Sequence, residues 1–174
     1  MSEAEALFEA LHQSAHADAV AAIERLVREG ADRDLTRVNA LAFASKNHLN
    51  DDHVIGAFLH ASRLGLFEMS WNVLCPGCGG VLDANATLKT IHQGEYSCAL
   101  CAAGYEPTLD EMVEVTFTVT PRVRRIVAHD PDTLPLLEYT RQIFWSSGVD
   151  LPGDAEFKRL IEDIAIDQIE VAPG

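Results

Sequence analysis

The amino-acid sequence predicts an α+β protein with an N-terminal helical lobe of winged-helix character, a central four-cysteine ribbon, and a C-terminal part of one strand and two helices. Three observations predict this fold. Apolar residues recur at helical spacing over the first third of the chain, all four cysteines fall in two Cys-x-x-Cys pairs, and "MVEVTFTVT" alternates between apolar and polar residues. We expect the parts to span residues 1–70, 71–110 and 111–174, with the last packing back on the first lobe.

Two helices are predicted at the start of the chain. Ser2 followed by Glu5 is the pattern of a capping box, and apolar residues then recur every three or four positions. A second helix is expected from about His16 to Glu29, because its apolar residues share one face. Gly30 then follows as a left-handed helix stop.

The next two predicted helices precede a strand, which is the element order of a winged helix. We expect helices over residues 37–47 and 51–64, the second capped by Asn50 or Asp51. In a winged helix this second helix would read DNA with its N-terminal end. Because that end carries Asp51 and Asp52, which repel phosphates, a nucleic-acid-binding transcription regulator is the alternative and not the first interpretation.

Two strands are predicted, one on each side of the cysteines. Apolar and polar residues alternate from Phe67 to Val73, and again from Val113 to Val119. This alternation predicts strands with one buried face. Trp71 shares the apolar face of the first strand, which favours a packing role between ribbon and helices over a ligand platform.

Two further helices are predicted near the end of the sequence, over about residues 132–145 and 154–166. Each begins at an aspartate that can cap it, and Gly148 and Pro152 break the chain between them. The apolar "AIDQIEV" that follows is expected to lead into another strand. This pattern leaves open that the chain is a fragment of a longer protein.

The four cysteines have the spacing of metal ligands. Two residues separate Cys75 from Cys78 and Cys98 from Cys101, and 19 residues lie between the pairs. Four thiolates complete the tetrahedral sphere of zinc and leave no position for water, so we predict a structural Zn²⁺ ion. The ion would stabilise a turn-rich segment that is poor in large apolar side chains.

Other interpretations of the cysteine segment carry less weight. Redox-active dithiols or an iron–sulfur site are the alternatives to zinc, and His92, between the pairs, could replace a cysteine.

A glycine after the second thiolate relieves the crowding of each turn, a role that we assign to Gly79 and Gly104.

The composition limits the classes of function that we expect for this protein. The chain has 174 residues, of which 48% are hydrophobic, and this composition favours a globular protein. Its formal net charge of −14 disfavours binding to nucleic acid or to anionic membranes. The sequence has no signal core and no apolar run of membrane-spanning length, so we expect a cytoplasmic protein whose thiols stay reduced.

Three arginines form a basic cluster directly after the second predicted strand: Arg122, Arg124 and Arg125. Arginine forks suit phosphate or carboxylate, so a ligand or an acidic partner could dock there, although pairing with the chain's own acids is the favoured interpretation. His12 and His16 have an i, i+4 spacing that could hold a metal, but we expect both to be solvated. The sequence contains no nucleophile elbow, phosphate loop or dinucleotide fingerprint.

Four segments together resemble a known domain family: "FLHASRLGLFEMSWNVLCPGCGGVL", the second pair "CALC", "VEVTFTVTPRVRRI" and "YTRQIFWSSGVDLP". They cover the chain from roughly Leu41 onward and are similar to a bacterial family of unknown function that usually lies N-terminal to the catalytic domain of class III adenylate or guanylate cyclases. The resemblance implies a regulatory or protein-interaction module with a protein partner or a fused cyclase domain, and it carries over the four cysteines alone. We therefore predict a non-enzymatic zinc-binding module and leave open whether it forms a homo-oligomer.

Overall fold

The structure is a computed structural model that describes residues 2–92, 94–106, 108 and 112–170, the last seven by their backbone alone. The described residues form six α-helices: α1 Glu3–Ser14, α2 Ala17–Glu29, α3 Ala40–Asn47, α4 Asp51–Leu64, α5 Leu136–Tyr139 and α6 Asp154–Glu170. They also form six strands: β1 Val38–Asn39, β2 Phe67–Leu74, β3 Val81–Asn85, β4 Tyr96–Cys98, β5 Ala103–Tyr105 and β6 Val113–Val119. The predicted α+β class is confirmed.

The helix caps of the N-terminal lobe follow the local sequence. The Ser2 hydroxyl accepts a hydrogen bond from the Glu5 amide at 3.2 Å, and the Glu5 carboxylate accepts one from the Ser2 amide at 2.6 Å, so the capping box is confirmed. At α4 the Asn50 side chain accepts from the His53 amide at 3.1 Å. The sequence left open whether Asn50 or Asp51 caps this helix, and the structure shows that Asn50 does.

Gly30 ends α2 where the sequence predicted, but not in the predicted left-handed conformation, and the predicted start of the helix at residue 132 is wrong. Gly30 ends α2 with a φ of −63°, outside the left-handed region, and a glycine is needed because a Cβ there would lie 2.6 Å from the Leu26 carbonyl oxygen. The helix expected from Asp132 begins at Leu136, because Pro135 disfavours the helical conformation in the residue before it. Asp132 lies in a separate 3₁₀ turn instead.

The C-terminal helices differ from the expectation in two further ways. Beyond α5 the chain continues as a wide π-helical turn, Thr140–Phe144. The expected strand approach at "AIDQIEV" is wrong, since α6 remains helical to Glu170.

The main sheet has the strand order β1–β6–β2–β3 and is antiparallel throughout. The chain order β1, α3, α4, β2, β6 and the pairing β1–β6–β2 are those of a winged helix, with β2 and β6 as the wing. The connection between these two strands carries both cysteine pairs, and its first part returns as β3 beside β2. β2 crosses residue 70, and the proposed division of the chain at residues 70 and 110 stays a prediction.

The inner face of the sheet packs against the helices of the N-terminal lobe. The Phe58 ring of α4 lies at the centre of this core, with ring centroids 5.4 Å from Phe43, 5.3 Å from Phe67 and 5.0 Å from Phe117. Trp71 is half-buried on the same sheet face, paired in register with Val115. The buried core thus joins α1–α4 to β2 and β6.

The outer face of the sheet is polar but covered. Asn72 and Thr116 are fully buried, and the Asn72 amide donates to the Thr116 hydroxyl at 2.8 Å. The Arg37 guanidinium donates to the side-chain amide oxygen of Asn72 at 2.9 Å, while the Glu114 carboxylate accepts from the Ser146 hydroxyl at 2.8 Å. We call these five residues the polar layer. The alternation predicts which residues share this face, but not that the segment around residue 146 covers it.

Candidate metal centre

The first cysteine pair lies in the turn of the β2–β3 hairpin. Hydrogen bonds close this turn, with the Cys75 amide donating to the Gly80 carbonyl at 2.7 Å and the Gly79 amide to the Cys75 carbonyl at 2.8 Å. Gly79 has a φ of +70°, which an L side chain rarely adopts. The turn therefore needs a glycine directly after Cys78, as predicted.

The second cysteine pair spans the end of β4 and the turn that leads to β5. Ala102, directly after Cys101, has a φ of +49° and takes the position that Gly79 has in the first turn. Gly104 lies in β5 opposite Ser97 and has no such role, so its predicted function is wrong. An alanine in the left-handed region carries a conformational cost that glycine would avoid.

The structure brings the four predicted metal ligands together. All four Sγ atoms lie within 4.8 Å of one another, with Cys75–Cys101 and Cys78–Cys98 separations of 3.7 Å. An ion with four sulfurs at about 2.3 Å in a tetrahedron requires sulfur–sulfur edges of about 3.8 Å. A disulfide would require about 2.05 Å, so the geometry suits one shared ion and not two bonds.

The surroundings shift the pKa values of the thiols in different directions. Burial raises the pKa of Cys75, but hydrogen bonds from the Cys78 and Gly77 backbone outweigh it and lower that pKa to about 7. Burial raises the pKa of Cys78 and of Cys101. A nearby cation would favour the thiolate form of all four, which is the form that binds metal.

Sequence reasoning missed two residues beside the sulfurs. The Tyr105 hydroxyl hydrogen-bonds to the Cys75 sulfur, and this bond raises the pKa of Tyr105 to about 12. A Cβ at Gly77 would lie 3.1 Å from both the Cys101 sulfur and the Tyr105 hydroxyl. The only local signal for Tyr105 is that an aromatic residue follows the last cysteine at a distance of four positions.

The C-terminal segment docks on the first cysteine turn. The Trp145 indole N–H donates to the Cys78 carbonyl at 2.9 Å, and Trp145 is 5% exposed. A Cβ at Gly80 would overlap the Phe144 ring, and one at Gly79 would lie 3.0 Å from Val149. These contacts are dispersed in sequence, so no local pattern indicates them. They place the chain that leads into α6 directly against the turn of the first cysteine pair.

The predicted arginine cluster does not converge on one site. Arg122 pairs with Glu3, and Arg125 pairs with Asp130 at 2.7 Å. Arg124 donates to Asp32 at 3.0 Å and to the Val27 carbonyl at 2.9 Å, which ties the segment after β6 to the end of α2. Each guanidinium thus contacts a carboxylate of this chain, which is the interpretation that the sequence favoured.

The predicted histidine candidates lie away from the cysteines. His12 contacts Glu24 at 3.3 Å, whereas His16 stacks on His53 with ring centroids 3.9 Å apart, so the i, i+4 pair does not converge. His92 packs edge-on against Tyr96 at 6.1 Å. Within the part of the chain that the structure describes, the four cysteines are the one group of three or more histidine, cysteine, aspartate or glutamate side chains arranged to hold a metal.

The fold and this cluster define an α+β protein with a candidate four-thiolate metal centre set into the connection between β2 and β6. The chain belongs to the family of unknown function DUF5939, whose profile it matches over residues 1–174. No curated protein and no solved structure matches it. Among the described helices, none is both long and apolar enough to cross a membrane.

Proposed function

We propose that the protein is a non-catalytic regulatory or protein-interaction module in which Cys75, Cys78, Cys98 and Cys101 hold a structural Zn²⁺ ion. The observation that carries this proposal is the convergence of four sulfurs at the spacing of one tetrahedral ion. Zinc would bridge the two turns and stabilise the connection between β2 and β6. With four protein ligands the ion has no open position for a substrate or water, which supports a structural role.

The proposed regulatory role is supported by the contacts between this centre and the C-terminal segment. The backbone of Cys78, a proposed ligand, accepts the indole N–H of Trp145, and Gly80 packs against Phe144. A change at the sulfurs would therefore reach the chain that enters α6. The proposed relation to class III cyclases rests on the sequence resemblance, and it would make this segment the path toward a catalytic domain.

Metal content and nucleotide turnover test the proposed zinc site and the proposed non-catalytic role. Purified protein should contain one zinc per chain by elemental analysis, and Cys98→Ser should lower this ratio, whereas the exposed-site control Ser97→Ala should not. Incubation with ATP or GTP and Mg²⁺ should give no cyclic nucleotide. Metal-free folded protein would refute the zinc site, and cyclic nucleotide formation by the chain alone would refute the non-catalytic role.

Regulation is tested in a protein that joins this domain to a class III catalytic domain. Gly80→Ala retains all four thiols but displaces Phe144, so it should change the rate of cyclic AMP formation several-fold. Gly56→Ala, with nothing within 4 Å of the added Cβ, should leave that rate unchanged. Equal rates for both variants and for the isolated catalytic domain would exclude regulation while leaving the metal site intact.

Nucleic-acid binding is the second candidate, and the winged-helix topology favours it. Two observations oppose it. Asp51 and Asp52 lie in the first turn of α4, and His16 of the α2 N-terminus stacks over His53 in that same turn. Duplex binding that weakens with added salt, and weakens further in Arg125→Ala, would support this candidate over the first. Absence of binding at low salt would exclude it.

A further inference from the structure

A cleft separate from the cysteines lies between α3, the 3₁₀ turn Asp32–Leu35 and residues 141–151. Its volume is about 200 Å³, which suits a small molecule more than a drug-sized one. Apolar side chains form much of its wall: Leu26, Val38, Phe43, Trp145, Val149 and Leu151. An apolar wall of this kind can bury the body of a ligand but cannot orient it, so the polar side chains of the cleft decide what it selects.

Three cations lie around this cleft in a chain whose net charge is −14. Lys46 and Arg33 are exposed, and Arg141 lies deeper, with its side chain 12% exposed and its guanidinium carbon 4.4 Å from the centre of the Phe157 ring. Asp34 also lines the cleft, but its carboxylate already accepts a hydrogen bond from the Ala31 amide at 3.1 Å. With Asp154, which contacts two of these cations, three positive charges face two negative ones here.

Two of these cations already share one anionic partner. Arg141 and Arg33 both contact the same oxygen of Asp154, the latter at 3.6 Å. The two guanidinium groups are therefore close enough to bind a single oxyanion together. Asp154 itself is 80% exposed, so another carboxylate or phosphate can take its place without burying a new charge.

A hydroxyl donor completes the polar part of the cleft. Ser147 accepts a hydrogen bond from the Asn39 amide at 2.7 Å, and no described residue accepts the proton of its hydroxyl. Ser146, its neighbour, is already engaged with Glu114. The Nε atom of Arg141 is also buried without an acceptor among the described residues. The Ser147 hydroxyl and the Arg141 Nε are therefore two donors that an oxyanion can satisfy.

We infer that this cleft binds a small organic oxyanion, a carboxylate or a phosphate monoester on a short apolar body. The anionic head displaces Asp154 from Arg33 and Arg141 and contacts Lys46 and the Ser147 hydroxyl, while the apolar body packs on the Phe43 and Trp145 side of the cleft. No cysteine lines the cleft, but Trp145 of its wall donates to the Cys78 carbonyl, so the test uses the metal-loaded protein. Oxyanion binding here extends the proposed function without relying on it.

Calorimetric titration of the metal-loaded protein tests the inference with three matched probes: benzoate, phenyl phosphate and the neutral benzamide. Both anions should bind, and benzamide should bind at least tenfold more weakly, because it lacks the charge that the guanidinium groups select. The stronger of the two anions identifies the head group. In a Trp71→Phe variant the remaining indole is Trp145, so its fluorescence should change on binding and locate the probe in the cleft.

Two substitutions should change the affinity in opposite directions. Lys46→Ala should weaken anion binding about three- to tenfold, whereas Lys89→Ala, an exposed lysine outside the cleft, should leave it unchanged. Asp154→Asn removes the internal competitor and should tighten binding by a similar factor. Failure of both anions to bind at about 10 mM would overturn the inference, as would equal binding of benzamide or an unchanged affinity in Asp154→Asn.

Discussion

Metal removal should unfold one part of this protein and leave the other part folded. A structural zinc ion contributes about 10 kcal/mol to a small domain, which is comparable to the total stability of about 5–15 kcal/mol of an ordinary domain. No described residue between 75 and 112 belongs to the main core cluster, which joins α1–α4 to β2 and β6. Loss of the ion should therefore release the cysteine turns without emptying that core.

The C-terminal segment should respond to metal removal together with the cysteine turns. It loses the hydrogen bond from Trp145 to the Cys78 carbonyl and the packing of Phe144 on Gly80. Removing a buried hydrogen bond costs about 1–3 kcal/mol when one partner is left without a replacement. We expect Trp145, now 5% exposed, to become accessible to water.

Three measurements on the metal-loaded and chelator-treated protein test whether metal removal unfolds the cysteine turns and the C-terminal segment alone. Far-UV circular dichroism should retain most of the helical signal, while the emission of a Trp71→Phe variant should shift to longer wavelength. Hydrogen exchange should accelerate in residues 136–150 and remain slow in α4. A single transition that unfolds α4 together with the turns would refute the expectation that the main core stays folded. Unchanged Trp145 emission would refute the expectation that the C-terminal segment responds with the turns.

Three further substitutions test the packing. Gly80→Ala should destabilise the metal-loaded protein by about 1–3 kcal/mol in a urea unfolding experiment, because its Cβ overlaps the Phe144 ring, whereas Gly56→Ala should be neutral or stabilising; equal effects would contradict the overlap. Phe58→Ala should cost about 3–5 kcal/mol in the same experiment, since Phe58 is fully buried among three other phenyl rings, and a loss below about 1 kcal/mol would place the core elsewhere. Ala102→Gly should raise the midpoint of thermal unfolding, corresponding to about 0.5–1 kcal/mol, because its φ is +49°, while the strand control Ala103→Gly should lower it; a decrease in Ala102→Gly would contradict the assigned backbone conformation.

Much of the fold could be predicted because it is encoded locally. A capping box needs only Ser2 and Glu5 at the right spacing, and the alternation in β2 and β6 correctly places Phe67 and Phe117 on one face. The convergence of the four cysteines was also predictable, since a Cys-x-x-Cys turn presents both sulfurs to one point whatever surrounds it. These features depend on residues a few positions apart.

The missed features depend on distant parts of the chain. Trp145 reaches the Cys78 carbonyl across 67 positions, and no periodicity connects the two. The left-handed residue of the second turn is an alanine, so a search for glycine selects Gly104 in its place. Helix onset after Pro135 was missed because the aspartate before it also matches a cap.

The polar layer has a consequence for how the C-terminal segment can move. A segment that leaves an apolar sheet exposes hydrocarbon to water at about 25 cal/mol for each Å². Here the surface beneath carries Asn72, Thr116 and Glu114, whose hydrogen-bonding groups water can satisfy. On this face, separation of the segment from the sheet would thus exchange one set of hydrogen bonds for another, and the four-stranded sheet would stay folded without its cover.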